Sequence, residues 1–223
     1  MNDLPLLKPS PIASQEPSET TIKFMLLELQ SQIGRWHHAD NIAEDRFKTF
    51  LTIASGASGV LLLMSQLKMP TASFLKVGGI IFVLLWLLGL ITFLRMLERN
   101  RVVVSCMRSV NRARRYFFDL DPKIEPYLHS IPTDSRPNFL SMGGRNFGGR
   151  TVVAFIGSLF FGLFCGDLFS IASMNQAVSK SSVLIGITGF VLHLLSSEFY
   201  AARKLRRFEE EYDVHFPEIP KQK

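Results

Sequence analysis

Four blocks of this sequence carry almost no charge, and they limit what the chain can fold into. Thr49 to Leu67 and Val77 to Leu94 contain no charged residue, Thr151 to Ser173 is interrupted only by Asp167, and Ser181 to Tyr200 holds His193 and ends around Glu198. Each block is close to the roughly 20 helical residues that cross a hydrocarbon core. A surface helix of a water-soluble fold needs a polar stripe, which these blocks lack. The expected fold is all-α, a polytopic membrane protein with four transmembrane helices in two hairpins plus cytoplasmic juxtamembrane helices. Hydrophobic residues make up 47% of the chain, with 19 Phe, and they concentrate in these blocks instead of recurring at the period of an amphipathic helix or strand.

Charge placement gives an orientation. Between Glu98 and Arg150 there are ten Lys or Arg against five Asp or Glu, and Arg203, Lys204, Arg206, Arg207, Lys221 and Lys223 follow the fourth block. The two hairpin turns hold only Lys68, Lys76 and Lys180. The positive-inside rule therefore places the amino terminus, the middle loop and the carboxyl terminus in the cytoplasm of a multi-pass cell-membrane protein. A net charge of +6 then needs no nucleic acid to explain it. The resulting order is a disordered tail over 1–18, a cytoplasmic helix over 19–48, a membrane hairpin over 49–97, and a basic helix and loop over 98–150. A second hairpin over 151–200 and a basic tail over 201–223 complete it.

The tail carries four prolines before residue 18 and no signal-peptide pattern, so the first span is expected to target the chain. After Ser18, a candidate helix cap, Ile22, Leu26, Leu29, Ile33 and Trp36 recur at four and three, a short coiled-coil-like seam. Two heptads favour packing against the arginine helix over self-association. That arginine helix, "RNRVVVSCMRSVNRARRYF", places Val103, Cys106, Met107, Val110, Ala113 and Phe117 on one face. Arg101, Arg108, Arg112 and Arg115 on the other are expected to contact anionic lipid head groups. A nucleotide or RNA site is the sharper reading of the same charge, but no aromatic-and-glycine RNA-binding pattern accompanies it.

The third block carries the most specific pattern. Ala154, Ser158, Gly162, Gly166 and Ser170 fall at unbroken intervals of four, a stripe that lets another helix approach closely in lipid. "ASGASG" at 54–59 offers a partner in the first block. The pattern leaves open whether the contact lies within one chain or joins subunits of a homo-oligomer.

Two intramembrane polar residues need a reading. Asp167 lies about 9 Å of helix from the outer end of its block, within reach of outer water. His193, near mid-span, is read as a neutral histidine bonded to a neighbouring helix, with proton transfer or gating as the functional alternative. Catalytic and cofactor chemistry are not expected. His37-His38-x-Asp40 lacks the partners of a metal site, "GGRNFGGR" at 143–150 lacks the Lys-Ser/Thr and the strand of a phosphate loop, and no serine has a nucleophile-elbow context. Cys106 falls on the cytoplasmic side and Cys165 within a span of the predicted topology, so no structural disulfide is expected. "RRYFFDLDP" and "RRFEEEYD" hint at an internal duplication, although arginines follow any inward-running span.

Residues 19 to 118, with "FLTIASGASGVLLLMSQL", a short turn, "VGGIIFVLLWLLGLITFL" and the arginine helix, resemble the SLATT-type two-span modules of prokaryotic conflict systems. The resemblance implies a membrane effector that assembles in the bilayer when a partner senses infection. The function expected is an oligomeric effector or channel-like protein controlled through its cytoplasmic helices. The alternative is a non-conducting scaffold that recruits a cytoplasmic protein partner.

Reporter fusions test the topology. Fusions at the amino terminus, near Pro132 and after Lys223 should report cytoplasm, and those near Pro70 and Asn175 the outside. An external signal at residue 132 overturns the four-span reading.

Overall fold

The computed structural model describes residues 18–67, 69–128, 132–139, 148–173 and 178–215. The expected tail ahead of Ser18, the turn residue Lys68, Asn175, most of "GGRNFGGR" and the terminal Lys221 and Lys223 lie outside the described residues. The described chain is all-helical: α1 (Glu19–Gln66), α2 (Thr71–Leu120), a 3-10 turn (Pro122–Tyr127), α3 (Gly149–Ala172) and α4 (Lys180–Glu211). All four α-helices are long and apolar enough to cross a membrane.

The uncharged blocks are not separate helices joined to polar ones. In α1, α2 and α4 a single helix runs through the uncharged block and on into the charged flank. With 48 and 50 residues, α1 and α2 each extend about 70–75 Å at 1.5 Å per residue. The sequence permits this because no proline lies inside either helix, so the ladder of backbone hydrogen bonds is unbroken. Pro70 precedes α2 and Pro122 follows it. The Ser18 side chain accepts from the Thr21 amide at 3.2 Å and caps α1, while Ser179 and Ser182 form a reciprocal capping box at the start of α4.

Consecutive helices pack antiparallel. Along α1 and α2, Asp40 meets Arg99, Phe50 faces Gly89 and Leu61 faces Gly78. Along α2 and α3, Gly89 faces Gly157 and Gly78 faces Asp167. Along α3 and α4, Gly162 faces Gly186 and Gly166 faces Ser182. At the basic end α4 also reaches α2, running the same way, through Glu98–Lys204 and Arg108–Glu209. The main core sits where the uncharged blocks give way to the charged flanks, with Phe50, Phe93, Leu97, Val153, Ala201 and Leu205 closing it. Toward the other end the helices expose large apolar side chains, among them Leu63, Ile80, Leu84, Leu184 and Leu195, each about 60% exposed. An apolar surface of this extent suits lipid and not water.

The small-residue stripe pairs inside the chain, and its partner is α4 instead of the expected "ASGASG" segment. A Cβ on Gly162 would lie 2.6 Å from the Gly186 carbonyl oxygen and 2.9 Å from Phe190 Cβ, and one on Gly166 would lie 3.0 Å from the Ser182 carbonyl oxygen. By contrast, a Cβ on Gly56 or Gly59 would meet nothing within 4 Å. The reason lies in complementarity: α4 presents its own small residues, Ser182, Gly186 and Gly189, opposite the stripe. Gly157 lies off the stripe and performs the same service for α2 at Gly89, where a Cβ would come within 3.2 Å of the Gly157 Cα.

Gly162→Leu should therefore lower the folded yield and cost about 1–3 kcal/mol by overpacking, without changing the subunit number by native mass spectrometry. Gly56→Ala should leave thermal stability in detergent nearly unchanged. If Gly162→Leu melts like wild type, α3 and α4 do not approach as closely as described.

Candidate functional site

The arginines of α2 divide into groups with different surroundings. Arg108 is completely buried. Its Nη2 donates to Glu209 Oε1 at 2.6 Å and to the Ser135 carbonyl at 3.3 Å, and its Nε donates to the Pro137 carbonyl at 3.0 Å. The guanidinium lies between two aromatic rings, 4.7 Å from the Phe139 centroid and 4.5 Å from that of Tyr212. The other Glu209 oxygen accepts from the Phe139 amide at 3.0 Å, so a single carboxylate joins α2, α4 and the 132–139 segment.

One turn further along α2 the arrangement recurs. Arg112 Nε donates to Asp134 Oδ2 at 2.7 Å and Arg112 Nη2 to the Asp213 carbonyl at 2.5 Å. Asp134 is also fully buried and accepts from the His215 amide at 3.0 Å. Between these two arginines Asn111 Nδ2 donates to the Thr133 and Arg136 carbonyls, each at 3.0 Å. Burial pushes the Tyr212 phenol above its usual pKa, and Arg112 offsets part of that rise.

The lipid contacts expected of Arg108 and Arg112 are thus replaced by contacts within the chain. An arginine opposite an apolar face need not face water when another segment covers it with carboxylates and carbonyl oxygens. A buried guanidinium persists only with such acceptors. Arg115 pairs with Asp119 one turn along α2 at 2.8 Å. Arg101 is exposed and rests its guanidinium 4.9 Å from the Phe208 ring centroid. The described residues thus bring Arg108 and Arg112 into one cluster and leave Arg101 and Arg115 outside it.

His193 sits in a closed polar node among three helices. Trp86 Nε1 donates to His193 Nε2 at 2.9 Å, and His193 Nδ1 lies 2.8 Å from Ser158 Oγ, which donates to the Ala154 carbonyl at 2.7 Å. Since indole only donates, Nε2 must accept, and the neutral tautomer protonated at Nδ1 satisfies every partner. Two members of the stripe, Ala154 and Ser158, thereby hold the histidine, and a third, Ser170, donates to Ser182 Oγ at 2.8 Å. Asp167 is a full helix segment away. Its Oδ2 lies 3.3 Å from where a Gly78 Cβ would be, at the edge of an apolar groove of about 470 Å³ between α3 and α4. Asp167 and His193 form no dyad. Asp40 of the His37-His38-x-Asp40 run is paired with Arg99, and Cys106 and Cys165 are both free thiols.

Sequence reasoning missed Asp134, Glu209, Phe139, Tyr212 and Trp86. Their partners lie between 22 and 107 residues away, and no local spacing signals such contacts. The α4 residues Ser182, Gly186 and Gly189 were legible as small residues at spacings of four and three.

Arg108→Gln should cost about 3–5 kcal/mol, the usual loss when one partner of a buried pair is removed. Replacing both members, Arg108→Met with Glu209→Leu, should recover much of it. Denaturant titration in detergent checks both, and a wild-type stability for Arg108→Gln would mean the pair does not hold the basic end together.

Compared with family models, with curated proteins and with solved structures, the chain matches none.

Proposed function

We propose that the chain is a cell-membrane effector controlled through its cytoplasmic helices, with both termini and the basic loop inside. The observation that carries this reading is helix continuity. Because α1, α2 and α4 run unbroken from the charged flank into the apolar block, a rotation or shift imposed at the basic end is delivered into the bilayer with no hinge to absorb it. The Arg108–Glu209 and Arg112–Asp134 pairs form the clamp that such a signal would tighten or release. The resemblance of residues 19 to 118 to SLATT-type modules supports the same reading.

Channel-like activity in this proposal belongs to an assembly. His193 and Ser158 satisfy one another inside a single chain, and the stripe is occupied by α4, so a homo-oligomer would use the apolar faces turned to lipid. Anionic head groups remain partners for the arginines nearest the boundary. A specific observation favours the scaffold alternative as well. At the end of α1 farthest from its apolar block, Phe24, Leu26 and Leu27 are exposed by 63%, 51% and 66%, a patch suited to a cytoplasmic protein partner.

Dye and ion release from proteoliposomes separates the two. An effector whose clamp restrains it should release more with Glu209→Gln than with the wild-type chain, by about an order of magnitude in initial rate if the clamp contributes about 1.4 kcal/mol to the closed state. Silence of both proteins, with Phe24→Ser and Leu27→Ser abolishing capture of a partner, supports the scaffold.

A further inference from the structure

A second cleft collects hydrogen-bond donors that the rest of the fold leaves uncommitted. It lies between the charged parts of α1 and α2 and has a volume of about 310 Å³. From α2 it is lined by Arg101, Ser105 and Ser109, which share one face at intervals of four. Arg35 and Gln32 oppose them from α1, and Cys106 also lines the cleft.

Two features of the lining bear on what the cleft can hold. Several helical hydroxyls turn back to a carbonyl one turn earlier, as Thr49, Ser58, Thr92, Ser158 and Thr188 do at 2.7–2.9 Å. Ser105 and Ser109 form no such bond, nor any other with a described residue. Arg99, Arg108, Arg112, Arg115 and Arg150 each hold a carboxylate, whereas Arg35 and Arg101, like the exposed Arg114 and Arg203, hold none among the described residues. The Arg101 guanidinium rests on the Phe208 ring, 4.9 Å from its centroid, and its N–H groups hold no hydrogen-bond partner among the described residues. The one carboxylate on the wall, Glu98, is neutralised by Lys204 Nζ at 2.6 Å. Gln32 donates to Glu28 at 2.7 Å, which leaves its carbonyl oxygen as the weaker, acceptor part of the lining.

We infer that this cleft binds a small, multiply charged phosphate, a diphosphate or a phosphate ester, held between Arg35 and Arg101 with Ser105 and Ser109 donating. Guanidinium groups and hydroxyls on one side of a cleft match phosphate oxygens in charge and geometry. Ser109 lies about 22 Å of helix beyond Leu94, the last residue of the uncharged block, so the inner part of the cleft is out of reach of a bilayer's own phosphates. A bound anion would bridge α1 to α2. That consequence rests on the proposed control through the cytoplasmic helices, whereas the binding itself does not.

Titration calorimetry of the full chain in zwitterionic nanodiscs, with inorganic pyrophosphate as the probe, tests the site. Saturable binding should weaken about tenfold or more in Arg35→Gln/Arg101→Gln and about threefold or more in Ser105→Ala/Ser109→Ala. Arg114→Gln/Arg203→Gln, which removes the same charge from exposed positions outside the cleft, should bind like wild type. Nanodiscs containing phosphatidylglycerol identify the source: undiminished pyrophosphate binding assigns a soluble phosphate, and competition assigns a lipid head group reaching the cleft. Absence of saturable binding, or equal weakening in the control pair, overturns the inference. Binding is read without any release assay, so silent liposomes bear on the proposed function alone.

Discussion

The basic end of this protein is organised around one fully desolvated guanidinium. Removing Arg108 from water costs several kcal/mol unless its donors find acceptors, and α2 alone cannot supply them. Acceptors for its Nε and Nη2 come from Glu209 on α4 and from the carbonyls of Ser135 and Pro137, while Nη1 has no partner among the described residues, so one side chain ties the 132–139 segment and the end of the last helix to α2. Phe139 and Tyr212 close over the two faces of the same group. Those rings add cation–π attraction and exclude the water that would otherwise weaken the ion pair.

Away from that end a different rule governs packing. Lipid tails are as apolar as leucine, so helices gain little by hiding apolar side chains and associate through close backbone approach and interhelical hydrogen bonds. The α3 helix follows this rule on two sides, toward α4 at Gly162 and Gly166 and toward α2 at Gly157. The Trp86–His193–Ser158 node then adds a three-helix polar contact at mid-span. Bulky side chains such as Leu84, Leu184 and Leu195 are left facing outward, on helices long and apolar enough to cross a membrane.

The two regimes meet on continuous helices, and in the proposed function the charged flanks act as levers on the apolar blocks. The arginine clamp joins α2 to α4, and the donor-rich cleft lies between α2 and α1, so α2 is the element through which both act. The same helix carries Gly78, Trp86 and Gly89 into the packed apolar region.

The sequence by itself determined the helical class, the number of apolar blocks and the cap at Ser18, because these follow from local composition and from the period of one helix. It also revealed the small-residue stripe, since absence of bulk at every fourth position is a local property. It pointed to the wrong partner: "ASGASG" on α1 was the expected one, yet Ser182 and Gly186 on α4 are equally small, and only the antiparallel packing of α3 on α4 chose between them. Helix continuity was readable in principle from the missing prolines, yet the change of composition at each block edge suggested a boundary. The fate of the arginines was decided by tertiary structure alone. Arg101 and Arg108 are the same residue type on the same helix, and their different burial depends on which of them Glu209 and residues 132–139 come to cover, a contact made across 27 to 101 residues of chain.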